Sequence, residues 1–112
     1  MSSLKLNGLV AATHTPFHHD GSLNLAIVEK QADHLLRNQV STAFIGGSTG
    51  ESHSLNVDER LALTTRWMEV VRGAPLRVVV HVGSNCLTDA ATLARHAEQS
   101  GASAVAACLL YT

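Results

Sequence analysis

The stretch Thr42-Ala43-Phe44-Ile45-Gly46-Gly47-Ser48-Thr49-Gly50-Glu51 decides how this chain folds. An apolar, strand-like run halts at two glycines, and two hydroxyl side chains follow at once. Glycine permits φ > 0 and lets another group approach the backbone with no Cβ in the way. Successive N–H groups in such a turn can converge into a nest for an anion. Ser48 and Thr49 add hydroxyls at the same point, so a small carboxylate or phosphate is the natural guest. Gly, Ser and Thr also fill generic loops, and the flanking sequence has to separate the two readings.

Working outward, three more apolar runs resemble the first. They are Leu9-Val10-Ala11-Ala12-Thr13, Val78-Val79-Val80-His81-Val82 and Ala104-Val105-Ala106-Ala107-Cys108. All four are continuous rather than alternating, which suits strands of a parallel sheet covered on both faces. Amphipathic segments separate them. The first places Leu25, Val28, Ala32, Leu35 and Leu36 on one face, with Asn24 as its predicted N-cap. The second opens Asn56-Val57-Asp58-Glu59, where Asn56 can cap and Glu59 can reach back as a capping box. Its predicted inner face is Val57, Leu61, Met68 and Val71, and Gly73 and Pro75 end it. The third starts near Thr88-Asp89, buries Ala90, Leu93, Ala94 and Ala97, and stops at Gly101.

The predicted order is β-α-β-α-β-α-β, an α/β chain with parallel strands and crossovers of one hand. No linker or low-complexity segment interrupts residues 1–112, which read as one unit. Two architectures fit, an open doubly wound sheet or a piece of a (β/α)₈ barrel. No Gly-x-Gly-x-x-Gly follows the first strand, which weakens the nucleotide-binding version. Polar clusters follow the strands: Thr13-His14-Thr15-Pro16, then Gly47 to Glu51, then His81-Val82-Gly83-Ser84-Asn85, with Tyr111 after the fourth. In a barrel these share the C-terminal rim, where active sites are built. His14 and His81 end strands there, either as pocket residues or as packed, hydrogen-bonded histidines. Glu51 is expected to order the loop or cap the next turn, and Trp67 to pack.

Composition narrows the function classes. The 112 residues carry a net charge of −1, and the eight Lys and Arg are scattered, so nothing suggests nucleic acid. No apolar run approaches the ~18 residues of a membrane span, and the N-terminus lacks a signal-peptide core. Cys86 and Cys108 are two, far apart, which points to a reducing cytoplasm rather than a disulfide framework. The histidines show no ligand spacing, so no metal and no cofactor is expected.

The residues Gly8-Leu-Val-Ala-Ala-Thr-His-Thr-Pro16-Phe17, Asp20-Gly21, Gly46 to Glu51, Leu55, Glu59-Arg60 and His81-Val82-Gly83 resemble the N-acetylneuraminate lyase / dihydrodipicolinate synthase family. The likeness runs through nearly the whole chain. The Gly-Leu-Val-Ala-Ala-Thr start and the His-Val-Gly strand resemble the N-acetylneuraminate lyase branch most. These are class I, Schiff-base aldolases built on (β/α)₈ barrels. The resemblance implies the first half of such a TIM barrel, ending before the catalytic strands. It implies a pyruvate-dependent lyase, in a homo-oligomer that is a tetramer in the family. Gly47, Ser48, Thr49 and Gly50 would hold the pyruvate carboxylate, and Ser48 would sit beside the catalytic tyrosine as a proton-relay partner. Alternatives are the synthase branch, or a non-catalytic half-barrel that associates with itself.

The Schiff base needs a lysine amine that attacks the keto carbon. The chain has only Lys5 and Lys30. Lys5 precedes the first strand and Lys30 lies mid-helix, so both read as surface residues and the chain is expected to be inactive alone. The family's lysine comes from a sixth strand and its tyrosine from a fifth. Tyr111 follows the fourth strand, in a loop where relatives carry an aromatic and usually a proline; Cys108-Leu109-Leu110-Tyr111-Thr112 lacks the proline. Tyr111 is therefore only a secondary candidate for a relay.

Overall fold

The computed structural model describes residues 6–108, and Lys5 and Tyr111 lie outside them. Within that span the elements run β1 (Val10–Ala12), α1 (Ile27–Arg37), β2 (Thr42–Ile45), a 3₁₀ turn (Ser52–Ser54), α2 (Val57–Val70), β3 (Arg77–His81), α3 (Leu87–Gln99) and β4 (Ala104–Ala106). The four strands form one sheet in the order β1-β2-β3-β4, and every pair is parallel.

That order decides between the two architectures. A doubly wound sheet reverses its strand order part-way, which sends helices to both faces. Here each strand pairs with the next in sequence, and α1 packs on α2 and α2 on α3 in a single layer. This is the winding of a (β/α)₈ barrel, seen over four of its strands.

The register assigns side chains to faces. Paired residues share a face, so Ala11, Ala43 and Val78 form one row, and Ile45, Val80 and Val105 another. Ala43, Ile45, Val78 and Val80 join Val28, Ala32, Leu35, Leu63, Trp67, Leu93 and Ala97 in a continuous core between sheet and helices. Each Val or Leu buried there contributes about 1.5–3 kcal/mol before entropy is charged. Ala12, Phe44, Val79 and Ala104 form the row on the opposite face.

Two helix starts and one buried face differ from expectation. Helix α1 is capped by Ala26, without a side-chain bond, rather than by Asn24. The Asn24 N–H donates to the Pro16 carbonyl (2.9 Å), and its own carbonyl accepts from Ile27, so a turn precedes the helix. In α2 the capping box forms as expected, with Glu59 N–H on Asn56 Oδ1 (2.8 Å) and Asn56 N–H on Glu59 Oε1 (2.9 Å). Its buried face, however, is Arg60, Leu63, Thr64 and Trp67, while Val57, Leu61 and Met68 are half-buried. A hydrophobic pattern assigns Arg60 to water; in the structure carbonyls across the sheet receive its guanidinium. Helix α3 begins at Leu87, one residue before the predicted Thr88, and Ala90 and Ala94 stay half-buried. Gly101, at φ +90°, takes the left-handed position just beyond the α3 C-cap that favours glycine. Trp67 packs as expected and is fully buried.

Candidate functional site

The loop Gly46–Glu51 leaves β2 at the C-terminal end of the sheet, beside the ends of β1 and β3. Its carbonyls are engaged one after another. Gly46 O lies 3.0 Å from His81 Nδ1, Gly47 O accepts from Ser52 N–H at 3.1 Å, and Ser48 O accepts from Glu51 N–H at 2.9 Å. Gly50 O accepts the buried Thr15 hydroxyl at 2.6 Å.

This pattern fixes where the donors go. In a planar trans peptide the N–H of one residue points opposite to the C=O of the residue before it, and no cis peptide occurs among the described residues. Carbonyls tied down at Gly46, Gly47 and Ser48 therefore turn the N–H groups of Gly47, Ser48 and Thr49 outward. Among the described residues, no protein acceptor takes the Ser48 or Thr49 N–H, and neither hydroxyl is bonded. Both residues are exposed, whereas Gly46, Gly47 and Gly50 are buried beneath them. The result is a short row of free donors on a crest whose underside is fully committed.

The glycines are needed for closeness. A Cβ on Gly47 would lie 2.7 Å from the Phe44 ring, and one on Gly50 would meet Gly46 N and Thr13 O, both at 3.1 Å. Gly46 takes φ +70° and Glu51 φ +59°, so both turns of the loop use left-handed backbone. Glu51 orders the loop through its backbone: its N–H reaches Ser48 O and its carbonyl accepts from Ser54 N–H. Its carboxylate caps nothing, which corrects the capping expectation.

His81 and Arg60 stand behind the loop. His81 is 4% exposed and its ring faces Phe44, with centroids 6.1 Å apart. Its Nδ1 meets the Gly46 carbonyl and its Nε2 receives the Cys108 N–H at 3.2 Å. A carbonyl can only accept and an N–H can only donate, so these two bonds assign a neutral ring with its proton on Nδ1. Arg60 Nη2, 3.4 Å from Nδ1, then directs its hydrogen to His81 O instead. Burial lowers the His81 pKa below its ordinary value; the Gly46 bond opposes that shift, and the charge of Arg60 adds to it. Arg60 is 8% exposed and donates to His81 O (2.8 Å) and Gly83 O (2.9 Å). Burial lowers its pKa too, and the charge of Asp89 opposes this; an arginine remains charged regardless. His14 is exposed, and only its carbonyl is used, by Gln31 Nε2 at 2.8 Å.

The structure thus gathers Gly47, Ser48, Thr49 and Gly50 into one loop. Thr15 and His81 hold that loop and Arg60 holds the backbone around His81, and sequence reading assigned none of them this job. The only signal for Thr15 and His81 was their place just after strands. Lys30 is exposed on α1, so no lysine among the described residues reaches this rim. No group of three potential metal ligands occurs among the described residues. No helix there is long and apolar enough to cross a membrane. Two open hollows, of about 480 and 470 Å³, lie elsewhere, one at the N-terminal ends of the strands and one beside α1. Neither hollow is lined by the Gly46–Glu51 loop, whose exposed donors are the candidate site by their chemistry.

A match to the dihydrodipicolinate synthetase family extends over residues 5–111. The chain belongs to that family. Among curated relatives, N-acetylneuraminate lyase of Gallus gallus is 44% identical over 103 residues, covering 91% of this chain and 33% of that protein. The Proteus mirabilis N-acetylneuraminate lyase structure superimposes with a TM-score of 0.88 at 38% identity, over 93% of this chain and 35% of that one. Dihydrodipicolinate synthase from Rhodopseudomonas palustris gives 0.84 at 28%, over 94% and 36%. The chain spans about a third of the length of the curated relatives it matches. Its four strands therefore correspond to part of the barrel of this family.

Proposed function

We propose that the Gly46–Glu51 loop is the carboxylate clamp of a pyruvate-dependent Schiff-base aldolase of the N-acetylneuraminate lyase kind. Such an enzyme cleaves N-acetylneuraminate to N-acetylmannosamine and pyruvate. The observation that carries this reading is the row of outward N–H groups and free hydroxyls at Ser48 and Thr49, set on a loop whose Gly46, Gly47, Ser48 and Gly50 carbonyls are bonded elsewhere. A fixed carboxylate orients the adjoining keto carbon, and preorganised donors do this at little entropic cost. An amine attacking that carbon forms an iminium, which accepts the electron pair released when the carbon–carbon bond breaks. The described residues bind and orient; the amine is not among them. Ser48 Oγ, beside the clamped carboxylate, is the group that would pass a proton near the reacting centre.

The synthase branch would clamp pyruvate in the same way. The lyase reading is favoured by the identities, 38–44% to curated lyases against 24–35% to synthase structures, a modest margin that rests mainly on the curated relatives.

Titration of the ¹⁵N-labelled chain with pyruvate tests the clamp. The amide resonances of Ser48 and Thr49 should move, with an affinity on the order of millimolar for so small a ligand. Replacing both hydroxyls (Ser48→Ala with Thr49→Val) should weaken binding about tenfold at little cost in stability. No movement of these amides at saturating pyruvate removes the clamp. Borohydride with pyruvate should add no mass to this chain; an adduct on Lys5 or Lys30 would overturn the statement that it supplies no Schiff-base amine.

A further inference from the structure

The loop's free donors exist only while its carbonyls are held, and the first of those holds comes from β3. Gly46 O meets His81 Nδ1 at 3.0 Å, and the same peptide plane aims the Gly47 N–H away from the sheet. On its other side the ring accepts the Cys108 N–H, just beyond β4. Arg60, reaching in from α2, binds the carbonyls of His81 and Gly83, on either side of Val82. A Cβ on Gly83 would lie 2.7 Å from His81 Nε2, so only glycine at this position leaves space for the ring. One imidazole therefore ties together the ends of β2, β3 and β4, and one guanidinium clamps the strand that carries it.

We infer that neutral His81, with its proton on Nδ1, is the positioning residue of the Gly46–Glu51 loop, and that Arg60 is the brace that keeps it in place. This goes beyond the clamp itself and rests on that reading only where pyruvate is the probe. The inference has a sign. Protonation puts a second N–H on Nε2, where it faces the Cys108 N–H, donor against donor. Loop order and carboxylate affinity are then complete above about pH 6.5 and fall as the pH drops below it, since the unfolded chain binds that proton more readily. A cation acting only through its field would do the reverse, because positive charge near the loop attracts the anion. Arg60 and His53 both bear on the ring with positive charge, and Asp89 acts on Arg60. The direct test must separate His81 from His53.

Two substitutions and one spectrum do so. His81→Leu removes both ring bonds; the amide resonances of Gly47, Ser48 and Thr49 should shift without ligand, and pyruvate binding should weaken about tenfold. The His81→Asn amide can donate to Gly46 O and does not titrate. It should keep affinity within about threefold and abolish the loss below about pH 6.5, with His53 still present. The ring ¹⁵N shifts of the unaltered chain should show the Nδ1–H tautomer. A ring protonated on Nε2 instead, unmoved loop amides in His81→Leu, or affinity that rises on acidification would each overturn the inference. If pyruvate moves no loop amide at all, the clamp reading fails alone. The tautomer and the ligand-free spectra of the variants still decide the role of His81.

Discussion

The two ends of the sheet are built on opposite plans. At the N-terminal ends, Leu6 and Leu9 are 42% and 66% exposed, the Ser41 hydroxyl ties to Asn7 O at 2.6 Å, and an open hollow lies against Pro75 and Arg77. At the C-terminal ends, Thr15 and His81 converge on one loop, and Arg60 holds the strand end that carries His81. Thr15, Arg60 and His81 Nδ1 each bond backbone carbonyls, and the loop donors left over face outward. In barrels of this kind, the C-terminal face carries chemistry and the N-terminal face carries stability. The contrast here gives that rule a local cause. What marks the functional end is a surplus of oriented N–H groups, not the volume of a cavity.

Substitutions at the two ends should therefore read out differently. The largest effect is expected at Arg60. Arg60→Met keeps apolar bulk but orphans the carbonyls of His81 and Gly83, and should cost about 3 kcal/mol in urea unfolding together with loss of pyruvate binding. Full binding in a folded Arg60→Met chain would break the contrast. Next comes a matched pair. Thr15→Val at the C-terminal end and Ser41→Ala at the N-terminal end each remove one hydroxyl-to-carbonyl bond, at about 1–2 kcal/mol. Thr15→Val should also weaken pyruvate severalfold, whereas Ser41→Ala should leave affinity unchanged. Equal affinities in the two variants would show that the ends do not differ in function. The smallest effect is at the α2 cap. Asn56→Ala should cost about 1 kcal/mol by melting temperature, with binding affected only as far as Arg60 shifts.

The legible part of this molecule was local. Glycines at a turn, the Asn56–Glu59 box and the stop at Gly101 act within a few residues, so their signals survive in sequence. Continuous apolar runs gave four strands, and the resemblance favoured the barrel over the doubly wound sheet. The illegible part was convergence. Arg60 reads as a solvated charge until His81 O and Gly83 O arrive 21 and 23 residues later. Thr15 reads as one loop hydroxyl among several until Gly50 O comes within 2.6 Å. The start of α1 failed for a similar reason, because Pro16 took the Asn24 N–H and drew that residue into a turn.

The strand order has a consequence for how the protein is made. Val10 pairs with Thr42, Thr42 with Arg77 and Val79 with Ala104, each a closure of about 30 residues. Among the described strands none waits for a partner distant in sequence, and each new β-α unit adds one edge to a sheet already formed. The loop-closure penalty is nearly the same at every step. A ribosome releasing this chain from its N-terminus could thus let it zip up in order of synthesis. The anchor for the Gly46–Glu51 loop would arrive only when β3 emerges, so the loop would be translated well before it is set.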